Sequence, residues 1–159
     1  MDYLKEIRQF YTKHIEPYLG KPVGCSPAEI EIMELEQRVR FPLPAAYTQY
    51  LAWMGNDFDG IFRGSDWFIS NVIERSAALP DLLQENHIAY ALPEHYLVFC
   101  AHQGYVMAWF ALPMEHDNPP AYFYSEGQNL RAPYLAGTFT DVVFDDMRGL
   151  ATLLPQIYR

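Results

Sequence analysis

YLVFCAHQGYVMAWFAL, residues 96–112, contains the two strongest strand signals in the sequence. Its two halves, 96–100 and 105–112, are rich in aromatic and β-branched residues, a composition typical of strands. The HQG connection at 102–104 contains a glycine and suits a tight turn. The stretch therefore predicts an antiparallel β-hairpin at the centre of the fold.

Two further strands are predicted on either side of this hairpin. AYFYS, residues 121–125, follows an NPP turn at 118–120 and has the aromatic content of a third antiparallel strand. WFI, residues 67–69, predicts a short strand before the hairpin. Together these segments indicate a meander of neighbouring antiparallel strands.

Helical periodicity marks the segments before, between and after the strands. The predicted helices cover residues 3–16, 26–40, 43–54, 71–86 with a kink or an end at Pro80, and 138–154. Helices first, a meander in the middle and a closing helix predict the α+β class. We expect a single domain over residues 1–159, a mostly antiparallel central sheet with the N-terminal helices and the C-terminal helix packed on it.

Three of these helices begin with the pattern of a capping box, in which a side chain at the first position and an acid three residues later satisfy free backbone N–H groups. Cys25 and Ile30 also fit a hydrophobic staple across the first of them. The three boxes are Ser26 with Glu29, Asn71 with Glu74, and Thr138 with Asp141.

The composition is that of a folded chain, with 50% hydrophobic and 16% aromatic residues. No apolar run approaches the roughly 20 residues that span a bilayer. The N-terminus mixes both charges from Asp2 onward and has no apolar signal region, so a cytoplasmic location is expected. In that compartment Cys25 and Cys100, which lack metal-site spacing, are expected to be free thiols.

The negative charge is uneven along the sequence. The formal net charge is -9, and residues 55–126 hold ten acids against two bases. Residues 1–54 hold seven acids and six bases, and residues 127–159 hold three of each. Such a middle segment disfavours nucleic-acid binding and suits a basic protein partner. A solvated surface that only aids solubility is the alternative interpretation.

Signatures of catalysis or metal binding are weak. The five histidines form no HxH or HExxH set, and GxSxG, P-loop and GxGxxG motifs are absent from the sequence. Cys100 and His102 alone are too few ligands for zinc. The DxDG at 57–60 lacks the downstream glutamate of a calcium loop. We therefore expect no enzyme activity, no cofactor and no metal.

The segment from Ser26 to Asp57 resembles the signature motif of the SUKH superfamily. Its parts are a capped helix with an apolar-x-x-apolar-Glu step, a Leu-Pro turn, a tyrosine three residues later and a closing leucine before a Gly- or Asn-rich loop. Ala46 and Arg40 depart from the pattern, where an acid and a glycine are common. The matching residues are Ile32, Leu35, Glu36, Leu43, Pro44, Tyr47, Leu51 and the GND at 55–57.

The resemblance implies a binding role. Many bacterial members of the superfamily are immunity proteins that neutralise toxin domains, often nucleases, and a fungal branch is tied to cell-wall assembly and signalling. The favoured hypothesis is therefore a non-catalytic immunity protein whose partner is a basic toxin domain of a polymorphic or contact-dependent system. The alternative is a regulatory protein-interaction module without a toxin partner. Neither hypothesis involves nucleic acid or a membrane.

The candidate contact residues combine the acids of the middle segment with aromatic side chains, because exposed Tyr and Trp make good interface anchors. They are Asp57, Asp59, Asp66, Trp67, Glu115, Asp117 and Tyr122.

Overall fold

One antiparallel sheet with helices on both faces forms the described part of the chain. The computed structural model describes residues 1–22, 27, 29–56, 64–113 and 115–158. The strands follow each other in sheet order, and they are β1 Ser65–Asp66, β2 His95–His102, β3 Val106–Leu112, β4 Pro120–Ser125 and β5 Tyr134–Thr138. The helices are α1 Lys5–His14, α2 Glu16–Leu19, α3 Glu29–Val39, α4 Ala45–Met54, α5 Val72–Glu85 and α6 Phe139–Ile157. The predicted α+β class is confirmed.

The predicted hairpin is present as β2 and β3. Gln103 and Gly104 form its turn with positive φ angles of 48° and 81°, and at Gly104 the absence of a side chain makes this angle unstrained. The register slips by one residue between Val98 and Cys100, so Phe99 is an extra residue in β2. Because of this bulge, Phe99 and Cys100 both belong to the larger core, although they are neighbours in sequence.

The larger core lies between one face of the sheet and the helices α1, α3, α4 and α6. Rings from four elements meet there, each fully buried, so aromatic packing contributes strongly to holding the last helix on the sheet. The ring centroid of Phe139 in α6 lies 5.4 Å from that of Tyr47 and 5.0 Å from that of Phe99, and both pairs have edge-to-face geometry.

The opposite face of the sheet carries a smaller core under α5. Leu79 and Leu83 of α5 pack against Val98 and Trp109 of the sheet. The helix also covers the part of β2 that the two-residue β1 leaves unpaired, since the Val98 N–H donates to Ser76 Oγ at 2.9 Å. A helix at this position protects the sheet edge from pairing with another chain.

The segment between α4 and α5 differs from the prediction of a strand at 67–69. The strand β1 ends at Asp66, and Ile69–Asn71 form a 3₁₀ turn. The Ile69 N–H donates to Gly55 O at 2.8 Å, and this bond draws the backbone away from the sheet. The 3₁₀ turn leads directly into α5, and Asn71 makes no side-chain cap, so the predicted capping box there is wrong.

Proline does not interrupt α5. Pro80 lies inside the helix, which continues to Glu85, so the helix does not end there. The buried leucines on either side of it hold the helix on the sheet and offset the lost backbone hydrogen bond.

The start of α6 is the capping box that the sequence predicts. The Thr138 N–H donates to Asp141 Oδ2 at 2.8 Å, and the Asp141 N–H donates to Thr138 Oγ1 at 3.4 Å. The Ser26 cap and the Cys25 staple lie outside the described residues. Within the described residues, no helix is long and apolar enough to cross a membrane.

Candidate partner-binding surface

The predicted contact residues occupy different places in the fold. Asp57 and Asp59 lie outside the described residues. Glu115 and Asp117 are exposed in the loop between β3 and β4. Asp66 is half-buried on β1, at the sheet edge opposite β5, and is therefore three strands away from β4.

Trp67 does not reach the surface. Its side chain is 1% exposed and packs beside Phe99 at 5.6 Å and Tyr50 at 5.5 Å. The prediction of an exposed anchor at this position is corrected, because the chain leaves β1 with the indole turned into the larger core. Trp67 is therefore a core residue and not a candidate contact residue.

Asp117 is held by two neighbouring elements. Its carbonyl oxygen accepts the Ala46 N–H at the start of α4 at 2.9 Å. Its Oδ2 accepts the Tyr3 hydroxyl at 3.0 Å, and this hydrogen bond raises the pKa of Tyr3. The Tyr3 N–H in turn donates to Gln49 Oε1 at 2.9 Å. These bonds join the N-terminus, α4 and the β3–β4 loop at one place on the surface.

Asn118 extends this network to the closing helix. Its Nδ2 donates to Thr140 Oγ1 at 2.7 Å, and its Oδ1 accepts the Thr140 N–H at 3.2 Å. The Phe139 N–H donates to Pro119 O at 2.8 Å. The loop that carries the acids is thus fixed to the first turn of α6.

An acidic corner results from this arrangement, which we define as Asp2, Glu6, Asp117 and Asp141. Asp2, Glu6 and Asp141 line a groove of about 300 Å³ between α1 and α6, and Tyr3 connects that groove to Asp117. Lys5 also lines the groove, and Arg8 pairs with Asp2 at 3.5 Å. Four carboxylates against two cations leave a net charge of -2 at the corner.

The distribution of charge along the sequence does not predict this corner. Three of its acids come from the end segments, 1–54 and 127–159, in which acids and bases nearly balance. Folding brings them beside Asp117, the one member that comes from the acidic middle segment. The capping box at Thr138 predicts that Asp141 lies in the first turn of α6. It does not predict which residues of other elements lie next to Asp141.

An aromatic patch that includes Tyr122 lies on the face of the sheet that carries the smaller core, which we call the outer face. We define it as Tyr90, Trp109, Tyr122 and Leu135. Tyr122 stacks on the buried Trp109 at 6.2 Å, and Tyr90 meets the same ring edge-on at 6.2 Å. Leu135 pairs with Tyr122 across the strands and is 59% exposed. The half-buried rings offer an apolar surface with hydroxyl tips, a combination common at interfaces.

Cys100 lacks the environment of a nucleophile. The thiol is 7% exposed, and burial raises its pKa well above the ordinary value. A nucleophilic cysteine needs the opposite shift, since the thiolate is the reactive form. Among the described residues, no group of three or more His, Cys, Asp and Glu side chains is placed to hold a metal ion.

Asp146 on α6 has a perturbed carboxyl group. Desolvation by the surrounding protein and the charge of Asp145 raise its pKa from 3.8 to about 6, although the residue keeps an exposed surface. The folded state therefore binds a proton more tightly than the unfolded chain. The resulting stability is fully present below about pH 4 and is lost as the pH rises through 6.

Asp146→Asn should remove this pH dependence. We expect the free energy of unfolding to fall less between pH 4 and pH 7 in the variant than in the wild type, by under about 1 kcal/mol because the group is exposed. Urea denaturation at the two pH values measures the difference. Asp81→Asn, an exposed acid on α5, is the control and should keep the wild-type profile. Parallel profiles for all three proteins would contradict the assignment.

The fold combines a helix-flanked antiparallel meander with a surface of acids and aromatic rings, which suits contact with another protein. The chain belongs to the SMI1/KNR4 family (SUKH-1), whose model matches residues 24–145. The comparison with curated proteins found no match.

The family match divides the acidic corner. Asp117 and Asp141 lie inside the matched segment, and Asp2 and Glu6 lie before it. The segment before residue 24 contains α1 and α2, which pack against each other, and α1 also packs on α6. Half of the corner is therefore contributed by residues outside the family match.

Proposed function

We propose that this chain is a non-catalytic immunity protein that binds and neutralises a cognate toxin domain in the cytoplasm. The toxin class that fits best is a basic nuclease domain of a polymorphic or contact-dependent system. The observation that carries the proposal is the acidic corner on a member of the SMI1/KNR4 family whose net charge is -9.

Charge supplies the physical reason for this choice of partner. A nuclease domain must hold a polyanion, so its substrate surface is positive. An acidic inhibitor is attracted to that surface, associates faster and then blocks it. Asp117 of the corner is exposed for such contact, and Glu115 is exposed two residues before it in the same loop.

The aromatic patch supplies the apolar part of an interface. Charged rims change the rate of association, whereas desolvated aromatic side chains carry much of the affinity. Tyr122 and Leu135 present this kind of surface on the outer face of the sheet, and we propose them as anchors.

Co-expression tests the proposal in cells. The toxin domain encoded beside this gene is placed under an inducible promoter, with and without this chain. We expect growth arrest with the toxin alone and normal growth when the chain is present. A matched control is a toxin domain from an unrelated system, against which the chain should give no protection.

Two outcomes would overturn the proposal. One is arrest that persists although both proteins accumulate to comparable levels. The other is a deletion that causes no self-intoxication, combined with a stable endogenous partner that is not a toxin. The second result would assign the chain to regulatory interaction modules instead.

A further inference from the structure

The two edges of the sheet are treated differently by the fold. On the side of β1, that two-residue strand pairs only with the end of β2, and α5 covers the rest of β2: Ser76 accepts the Val98 N–H through its hydroxyl and the Tyr96 hydroxyl through its carbonyl. At the other edge, β5 pairs with β4 alone, and no described strand lies on its far side. An uncovered edge presents backbone donors and acceptors to any extended chain.

Apolar side chains make this open edge unusual. Tyr134 is 45% exposed and Leu135 is 59% exposed, and as neighbours on a strand they point to opposite faces of the sheet. Exposed edges are ordinarily protected by charges, proline, short strands or bulges, and β5 has a short length and a bulge but no charged residue. A register slip opposite Ala121 and Tyr122 makes Ala136 an extra residue, so the regular part of the edge is its first half, where both side chains lie.

The edge runs directly into the acidic corner. β5 ends at Thr138, whose N–H and hydroxyl both donate to Asp141 Oδ2, at 2.8 Å and 2.7 Å. Asp141 also lines the groove between α1 and α6 together with Asp2 and Glu6. A segment lying along β5 would thus pass from an apolar stretch to a group of carboxylates.

We infer that β5 and the acidic corner together receive one extended, basic segment of the partner, which adds to the sheet as a further strand. The inference rests on the proposed function, because the segment belongs to the toxin domain. Main-chain hydrogen bonds to β5 provide affinity, and side-chain contacts to Tyr134 and Leu135 provide specificity. Lysine or arginine side chains of the same segment lie in the groove beside Glu6 and Asp141.

Charge selects a basic partner rather than a second copy of this chain. Two copies paired through β5 would each bring a net charge of -9 and an acidic corner to the same interface. A five-residue edge buries too little surface to offset that repulsion in a stable dimer. A basic segment gains from the same charges.

Leu135→Lys is the substitution that tests the edge. It removes the apolar contact and adds a positive charge against a basic segment, and we expect at least a tenfold loss of affinity for the toxin domain encoded beside this gene. Ile157→Lys is the matched control, since Ile157 is 66% exposed on α6 and the charge change is identical. The control should change affinity less than twofold.

The outcomes separate this inference from the proposed function. Equal affinities for both variants and the wild type would overturn strand addition and leave toxin binding intact. A wild-type chain that does not bind the toxin domain overturns both. Hydrogen exchange gives a second readout: the amides of β5 should become protected in the complex, and unchanged exchange there contradicts the inference. A dimer of the free chain that Leu135→Lys dissociates would assign the edge to a second copy instead.

Discussion

Phe139→Ala is expected to lower the free energy of unfolding by about 3–5 kcal/mol. The ring is fully buried and lies 5.0 Å from Phe99, 5.4 Å from Tyr47, 5.8 Å from Tyr50 and 6.3 Å from Phe110. Because it is the first residue of α6, its removal leaves a cavity where the helix meets the sheet. Urea denaturation followed by circular dichroism measures the change.

The control for this substitution is Leu153→Ala. Leu153 lies on the same helix but is 52% exposed, so its truncation should change stability by only about 0.5 kcal/mol. A loss of less than about 1 kcal/mol for Phe139→Ala would contradict the ring cluster as the main attachment of α6.

Charge reversal at the acidic corner and in the β3–β4 loop beside Asp117 is expected to slow association with the proposed toxin partner by about tenfold at low salt. The double variant Glu6→Lys with Glu115→Lys changes one exposed acid of the corner and one of that loop, and it leaves the capping box and the Tyr3–Asp117 bond unaltered. Stopped-flow mixing measures the rate constant. Added salt should reduce the rate for the wild type more than for the variant, because ions screen the attraction.

The matched control for charge is Glu29→Lys with Glu34→Lys on α3. Both residues are exposed and neither lines the groove between α1 and α6, so the total charge changes equally while the corner is preserved. The control should associate at nearly the wild-type rate. If the two double variants slow association to the same extent, net charge alone explains the steering and the corner has no special role.

Local patterns were sufficient to predict most of the fold. The hairpin at β2 and β3 follows from its β-branched and aromatic residues, and α6 follows from the box formed by Thr138 and Asp141. Both are features of short segments, whose structure depends on neighbouring residues along the chain.

The elements that the sequence did not predict depend on contacts between distant segments. YLAGT, residues 134–138, has no strand alternation and contains Gly137 at a φ of 107°, yet it forms β5 through its pairing with β4. Trp67 was expected at the surface, but a hydrogen bond between Ile69 and Gly55 redirects the chain and buries the indole. Neither contact can be predicted from the residues that are adjacent in the sequence.

The binding surface was predicted only in part for the same reason. Asp117 and Tyr122 lie on the surfaces described above, whereas Asp66 lies at the far edge of the sheet. Asp2 and Glu6 belong to the candidate surface only because α1 packs on α6.

We propose that the chain neutralises its partner by binding and not by catalysis. The most direct test is a titration of the purified toxin domain with the purified chain, with residual toxin activity as the readout. We expect activity to fall in proportion to the added chain and to reach its baseline at one chain per toxin domain. Complete inactivation by far fewer chains than toxin domains would reveal catalytic turnover, and undiminished activity in excess chain would show that no neutralising complex forms. Either result would contradict the claim.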